Sequence, residues 1–352
     1  MSQQILRIGF VGAGSMGQCA HLRNYALLDG CQVVALAEIR EDLRREAAAR
    51  YGIPRVYATH RDMLAQEDLD GIVVAQPFRR HGALIPELLR AGAPVFTEKP
   101  LAGSVQVGER IADAVAHSGT WHMLGYHKRS DLATMWAREQ IDELKSSGAL
   151  GRMTYVRILM PAGDWIASGF DDMIRTDAPY PELAWDPPDP DMDEETFKRY
   201  TSFVNYYIHQ VNLMRYLLGE PYAVTYAEPS GIVLAGQSES GIPCTIEMSP
   251  YTTSIDWQES ALVCFEHGYL RLELPAPLAR NRPGRVELFS DPGQGARPQT
   301  VIPQHPWVDA MRQQAIHFLA AIRGQTTPPC EAAEALEDLR VARSYIQMLA
   351  AA

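Results

Sequence analysis

At 352 residues the chain exceeds one ordinary hydrophobic core, so two domains are the natural expectation. Its apolar fraction of 46% and charged fraction of 21% are those of a folded globular protein, and a net charge of −11 without a basic stripe or tail excludes a nucleic-acid partner. Five scattered cysteines with no C-x-x-C pair argue against a zinc site or a disulfide framework and for a cytoplasmic setting, and no run of about 18 apolar residues predicts a membrane span.

The first element is a short apolar run, Leu6 to Val11, which reads as a buried strand rather than a signal peptide. Gly12-Ala13-Gly14-Ser15-Met16-Gly17 follows at once, and Gln18 to Leu28 reads as a helix. This is the context in which G-x-G-x-x-G holds a dinucleotide pyrophosphate: a tight turn, a close backbone approach, close helix–strand packing, and a helix N-terminus aimed at the phosphates. The next strand, Gln32 to Ala37, ends at Glu38, 21 residues after Gly17, where a carboxylate bonds ribose hydroxyls and repels a 2′-phosphate. NAD is therefore favoured over NADP, although Arg40 offers a charge that accepts a phosphate.

Strand and helix keep alternating to about residue 125. Helix is expected over Glu41–Tyr51, a short strand at Val56-Tyr57, a helical turn at Arg61–Ala65, and a buried strand over Gly71–Ala75. A helix over His81–Ala91 leads to the strand Pro94–Thr97, which delivers Glu98-Lys99-Pro100, and Val105–His117 and Trp121–Gly125 complete the series. Repeated βα units predict a doubly wound parallel sheet with ligands beyond the carboxyl ends of its strands. After a helix over Leu132–Lys145 the pattern changes to alternating strands, among them Thr154–Met160, Thr245–Met248 and Ala261–Phe265, which predict a mostly antiparallel sheet with one covered face. Residues 306–352 return to helix, with Met311, Ala315, Phe318, Leu319 and Ile322 on one core stripe.

Four marks give a resemblance to the Gfo/Idh/MocA family, the relatives of glucose–fructose oxidoreductase and inositol dehydrogenase. They are the glycine loop, Pro77 with His81 as in T-P-x-x-x-H (Gln76 replacing the threonine), Glu98-Lys99-Pro100, and Ser147-Gly148-Ala149-Leu150-Gly151 as in S-G-x-L-G. The resemblance implies a Rossmann dinucleotide-binding domain over 1–125 and an α+β domain with a large, predominantly antiparallel open sheet over 126–305. The 306–352 helices would fold back on the first domain. It also implies a nicotinamide dinucleotide, a sugar- or cyclitol-like substrate, a catalytic lysine, and a homodimer or homotetramer formed through the open sheet face. Cofactor-binding candidates are Gly12, Gly14, Ser15, Met16, Gly17, Glu38, Gln76, Pro77, His81 and Glu98.

Lys99 is the expected acid/base: burial and a cationic nicotinamide ring both favour the neutral amine that takes a hydroxyl proton. The family's aspartate–histidine pair at i and i+4 corresponds here to Asn205 and His209, which share one helix face. An amide has no carboxylate charge, which leaves three readings: Asn205 only positions a hydroxyl while Lys99 and His209 carry the proton, which is the favoured one; another carboxylate, with Asp164 the candidate, takes the role; or the enzyme has drifted from simple dehydrogenation. Substrate candidates are Lys128, Arg129, Asp164, Trp165 and Tyr206. Residues 161–200 are long for a connection, and Trp165, Phe170, Tyr180 and Trp185 suit sugar stacking or a subunit interface. The acidic run Asp186 to Asp193 lacks a calcium-loop glycine and reads as a solvated turn before a helix near Glu194, so no metal is assigned. The reading is an NAD-dependent oxidoreductase of a secondary hydroxyl. A redox-neutral NAD-dependent glycosidase or lyase and a non-catalytic dinucleotide sensor remain as alternatives.

Overall fold

The computed structural model describes residues 4–293 and 295–351. The chain forms two compact units. The first takes the chain up to Tyr126, Ser168–Met192 and Met311–Leu339; the second takes His127–Ala167, Asp193–Ala310 and the chain from Arg340 on.

In the first unit β1 (Leu6–Val11) opens a parallel sheet. The helix after it, α1, is wound as a π-helix over Gly17–Leu22 and continues as α-helix over Arg23–Tyr25. It stops short of the expected Leu28 because the last turn tightens, with the Leu27 and Leu28 N–H groups bonding the Asn24 and Tyr25 carbonyls. The series continues through β2 (Cys31–Ala37), α2 (Glu41–Tyr51), β3 (Arg55–Tyr57), α3 (His60–Gln66), β4 (Gly71–Val74), α4 (His81–Leu89), β5 (Val95–Glu98), α5 (Val105–Ser118) and β6 (His122–Gly125). The sheet order is β3-β2-β1-β4-β5-β6, so the direction of winding reverses between β1 and β4, and a crevice opens beyond their carboxyl ends. Both faces of β4, β5 and β6 are buried, which accounts for their near-continuous apolar sequences. Phe318 fills one side of this core, edge-on to Tyr25 and Trp121 and tilted against Phe96.

Within the second unit α6 (Leu132–Ser147) precedes β7 (Met153–Ala162), and α7 (Glu194–Leu218) precedes β8 (Tyr222–Ala227), β9 (Val233–Ser238), β10 (Pro243–Thr252), β11 (Glu259–Phe265), β12 (Gly268–Leu274), β13 (Arg285–Ser290) and β14 (Gln299–Val301). These strands form one sheet in the order β14-β13-β12-β11-β7-β10-β9-β8, antiparallel except for the β10–β7 pair. The buried pattern alternates strictly along β11, with Ala261, Val263 and Phe265 turned to the covered face. α8 (Ala310–Ile322) and α9 (Ala332–Ala351) close the chain.

Two assignments differ from the expected boundaries. Ser168–Met192 was expected within the second domain and packs with the first; α9 contributes its residues up to Leu339 to the first unit and those from Arg340 to the second. The junction before Ser168 is made by Ala167 and Ser168, both left-handed, with φ of 45° and 61°.

Candidate active site

The glycine loop tests directly whether a dinucleotide fits. Gly12 has φ +99°, and a Cβ there would strike the Ala75 carbonyl and lie 2.5 Å from Gln76 Nε2. A Cβ on Gly17 would come 2.7 Å from the Gly12 carbonyl, whereas one on Gly14 would meet nothing within 4 Å. The first and third glycines are therefore required by the protein's own packing, and the middle one faces open space. A pyrophosphate needs such a bare stretch of backbone at the head of a helix. Ser15 and Met16 flank that opening, and Gln76 lies against Gly12.

Glu38 lies where the spacing predicted and is buried. The Ala13 N–H donates to its Oε2 at 2.9 Å, and Arg40 Nε donates to its Oε1 at 3.0 Å. Arg40, the residue that could have welcomed a 2′-phosphate, thus has its charge answered by Glu38, which strengthens the preference for NAD.

Glu98 closes β5 two strands from β1, on the order of 10 Å along the sheet edge at the usual strand spacing. His21 Nε2 bonds Glu98 Oε1 at 2.8 Å, while the Lys99 N–H donates to Oε2 at 3.2 Å. Lys99 itself is half-buried. His21 was not anticipated from the sequence; it holds the carboxylate that precedes the lysine. His81, expected at the cofactor, is wholly buried instead, with Nδ1 3.1 Å from the Leu101 carbonyl. Burial lowers its pKa to about 4, so the ring is neutral. Pro77 is exposed at the end of the β4 loop.

The acidic run Asp186 to Asp193 is not the solvated turn its composition suggests. Asp189 accepts from the Val105 and Gln106 N–H groups at 3.0 and 2.9 Å, and Asp186 accepts from the Gly82 N–H at 2.9 Å. Both are buried, so these carboxylates cap α5 and hold α4 rather than face water. Asp193 does cap α7, whose first residue is the expected Glu194. Among the described residues no group of three potential ligands could hold a metal ion.

In the second unit Lys128 is buried and bonded to Glu259. Glu259 also accepts from Gln210 Nε2 at 2.7 Å and from Trp257 Nε1 at 3.2 Å, so the charge pair has its remaining lone pairs satisfied. Glu259, Gln210 and Trp257 carried no local sequence signal. His209 is edge-on to His127 at 4.4 Å between ring centroids, and the exposed Asn205 lies one turn earlier on α7. His127, Lys128, Asp131 and Arg282 line a small indentation, and Asp164 and Glu259 border a broader depression of about 1420 Å³ that includes open solvent. Tyr206, half-buried, hydrogen-bonds the Gly163 backbone.

Two substrate candidates, Arg129 and Asp164, have side chains engaged elsewhere, and Trp165 is held by its backbone. Arg129 is buried, donates to Asn212 Oδ1 at 2.8 Å and stacks 4.8 Å from the Tyr216 ring centroid, so it braces α7. Asp164 Oδ1 accepts from the Ile166 and Ala167 N–H groups, both at 3.0 Å, and closes a turn. The Trp165 carbonyl accepts from the Leu278 N–H at 3.2 Å.

A parallel sheet with this glycine loop and a buried Glu38 at the end of β2 makes a dinucleotide-binding scaffold. Residues 6–126 match the model of the Gfo/Idh/MocA oxidoreductase family, the part of that family described as an NAD-binding Rossmann fold. Over 140 residues the chain is 32% identical to an inositol 2-dehydrogenase/D-chiro-inositol 3-dehydrogenase of Shouchella clausii, an alignment spanning 39% of this chain and 40% of that protein. Among solved structures, aldose-aldose oxidoreductase from Caulobacter crescentus superposes with a TM-score of 0.71 at 18% identity, covering 99% of this chain and 98% of that one. The myo-inositol 2-dehydrogenase of Lactobacillus plantarum gives 0.68 at 19%, with the same coverage. At these identities the two structures speak to the fold alone.

Proposed function

We infer that the protein is an NAD-dependent dehydrogenase of a secondary hydroxyl on a sugar, cyclitol or glycoside, with Lys99 as the acid/base. The observation that carries this reading is the half-buried Lys99 at the carboxyl end of β5, following a Glu98 that His21 fixes in place. When bound, NAD supplies the acceptor for a hydride from the alcohol carbon. Lys99 Nζ accepts the hydroxyl proton as that carbon becomes a carbonyl, which requires the neutral amine. Glu98 orients the tripeptide through its bonds to His21 and the Lys99 N–H. Taken by itself, the second unit holds groups of a kind that bond hydroxyls: Asn205, which can both donate and accept, His209, and the Lys128 ammonium held by Glu259. The preference for polyols is supported by the Shouchella relative's name and by this density of hydrogen-bonding groups. The uncovered face of the large sheet, where Arg157 pairs with Glu247 and Tyr269 stacks on Phe289, is the surface through which the chain would form dimers or tetramers.

Lys99→Met should lower turnover by about 10²–10⁴-fold, the usual contribution of a general acid/base, while NADH binding measured by fluorescence stays at the native value. Loss of NADH binding together with activity would show that the lysine holds the cofactor instead. A screen of inositols, aldoses and glycosides for accumulation of reduced nicotinamide tests the substrate class; product without NADH would favour the redox-neutral chemistry.

A further inference from the structure

The segment Ser168–Met192 is fastened to the first unit at a succession of points that run along the carboxyl edge of the parallel sheet. At its start the Ile174 N–H donates to Gln18 Oε1 at 2.9 Å, and Gln18 Nε2 returns a bond to the Ile174 carbonyl at 3.1 Å and one to the Ala13 carbonyl at 2.8 Å. Thr176 then bonds Asp42 at the head of α2. At its far end the Asp186 N–H donates to the Arg79 carbonyl at 2.6 Å, and Asp189 caps α5. Asp42 follows β2, Arg79 follows β4, and α5 follows β5. The segment therefore bridges both sides of the crevice at the point where the sheet's winding reverses.

Between these anchors the side chains are less confined. Tyr180 keeps 46% of its surface exposed, with the Arg40 guanidinium 5.3 Å from its ring centroid, and Glu38 and Arg80 are the other charged groups that act on its phenol. Trp185 lies over Arg79 at 5.8 Å. The exposed ring thus stands beside Glu38 and Arg40, the residues at the ribose end of the dinucleotide site, on a segment tied down on either side of it.

We propose that Ser168–Met192 is a strap across the dinucleotide crevice, and that Tyr180 is a cofactor-binding residue whose ring packs against the adenosine half of NAD and slows its release. Gln18 joins the strap to the carbonyl of Ala13 in the glycine loop, so the pyrophosphate turn and the strap are held by one side chain. A dinucleotide enters or leaves as the stretch between Thr176 and Asp186 lifts, while the anchors at Gln18 and α5 persist. This inference rests on the dinucleotide reading of the loop, and it needs no substrate to be tested.

NADH dissociation, followed by stopped-flow fluorescence for the native protein, Tyr180→Ala and Tyr180→Phe, decides the matter. Tyr180→Ala should release NADH about tenfold faster and raise its Kd by a similar factor, within the range of a lost aromatic stack on a base, while Tyr180→Phe stays near native. Backbone amide exchange over residues 177–185 should slow when NADH binds. Unchanged NADH kinetics in Tyr180→Ala, or tighter binding, would overturn the strap's role and leave the dinucleotide reading standing; a native protein that binds no NADH would overturn both. An unliganded thermal transition matching the native one confirms that the variants are folded, since Tyr180 is a surface ring.

Discussion

Single atoms separate what the glycine loop does for the fold from what it does for the ligand. A methyl on Gly17 would press on the Gly12 carbonyl at 2.7 Å, so Gly17→Ala should destabilise the protein by about 1–3 kcal/mol through backbone displacement. A methyl on Gly14 meets no protein atom, so Gly14→Ala should leave the thermal transition in place. It should nonetheless weaken NADH about tenfold or more, roughly 1.4 kcal/mol, because the methyl occupies the space the pyrophosphate needs. Chemical denaturation and NADH titration on the two variants check both statements, and equal NADH affinity in Gly14→Ala would remove the loop from the cofactor site. At this scale the legible residues were those with a fixed chain spacing, such as Glu38 after the loop and Lys99 after its strand. His21 was illegible because α1 winds as a π-helix there, which breaks the 3.6-residue period from which a facing side chain is read. Glu259 was illegible for another reason: its partner Lys128 lies 131 residues earlier, and a long-range buried pair leaves no local pattern.

At the level of elements the order and type of the strands and helices of both sheets could be read from periodicity, since buried parallel strands and one-sided antiparallel strands leave different apolar patterns. The course of the strap could not. A run of aspartates and prolines has the same composition whether it is solvated or caps a helix, and only the tertiary partner decides. α5 shows the difference: Ser104 Oγ accepts from the Val107 N–H at 3.4 Å, while Asp189 takes the Val105 and Gln106 N–H groups. Three of the amides left over at the helix start are thus satisfied, one of the partners coming from the strap. Asp189→Ala strips two of them in a buried setting and removes a charge favourable to the helix dipole, at a cost of about 1–2 kcal/mol. The loss should appear in urea denaturation together with faster amide exchange over 177–191. Loss of stability with unchanged exchange in the strap would mean that Asp189 serves α5 alone.

Across the whole molecule, acid sensitivity is distributed unevenly between the two units. Burial holds His122 at about 3 and His81 at about 4, and it lowers His317 as well; all three lie in the first unit. A histidine whose folded pKa is depressed is neutral in the native state but protonates near 6.5 once unfolded, so the unfolded chain binds more protons below that pH. Stability of this unit is therefore complete above about pH 7 and falls as the pH drops from 6.5 toward 4. With His81 and His122 acting together the slope approaches two protons, about 2.7 kcal/mol per pH unit at its steepest. Glu87, held at about 2 by Arg61 and His60, acts in the same direction but only below its ordinary value of 4.5, and so lies outside the upper part of that window. Two compact units need not unfold together, and where the transitions separate, the acid-labile one should be the nucleotide-binding unit. Urea denaturation at a series of pH values should show this, with His122→Asn, which retains an amide to meet the Thr97 hydroxyl, flattening the slope between pH 6.5 and 4.5 by about one proton. A native slope that is already flat across this interval would show that these histidines protonate in place. The consequence for binding follows from linkage: NADH, which binds the folded unit and not the unfolded one, should shift the acid midpoint downward as its concentration rises, by about 2.7 kcal/mol of added stability at a hundredfold excess over Kd.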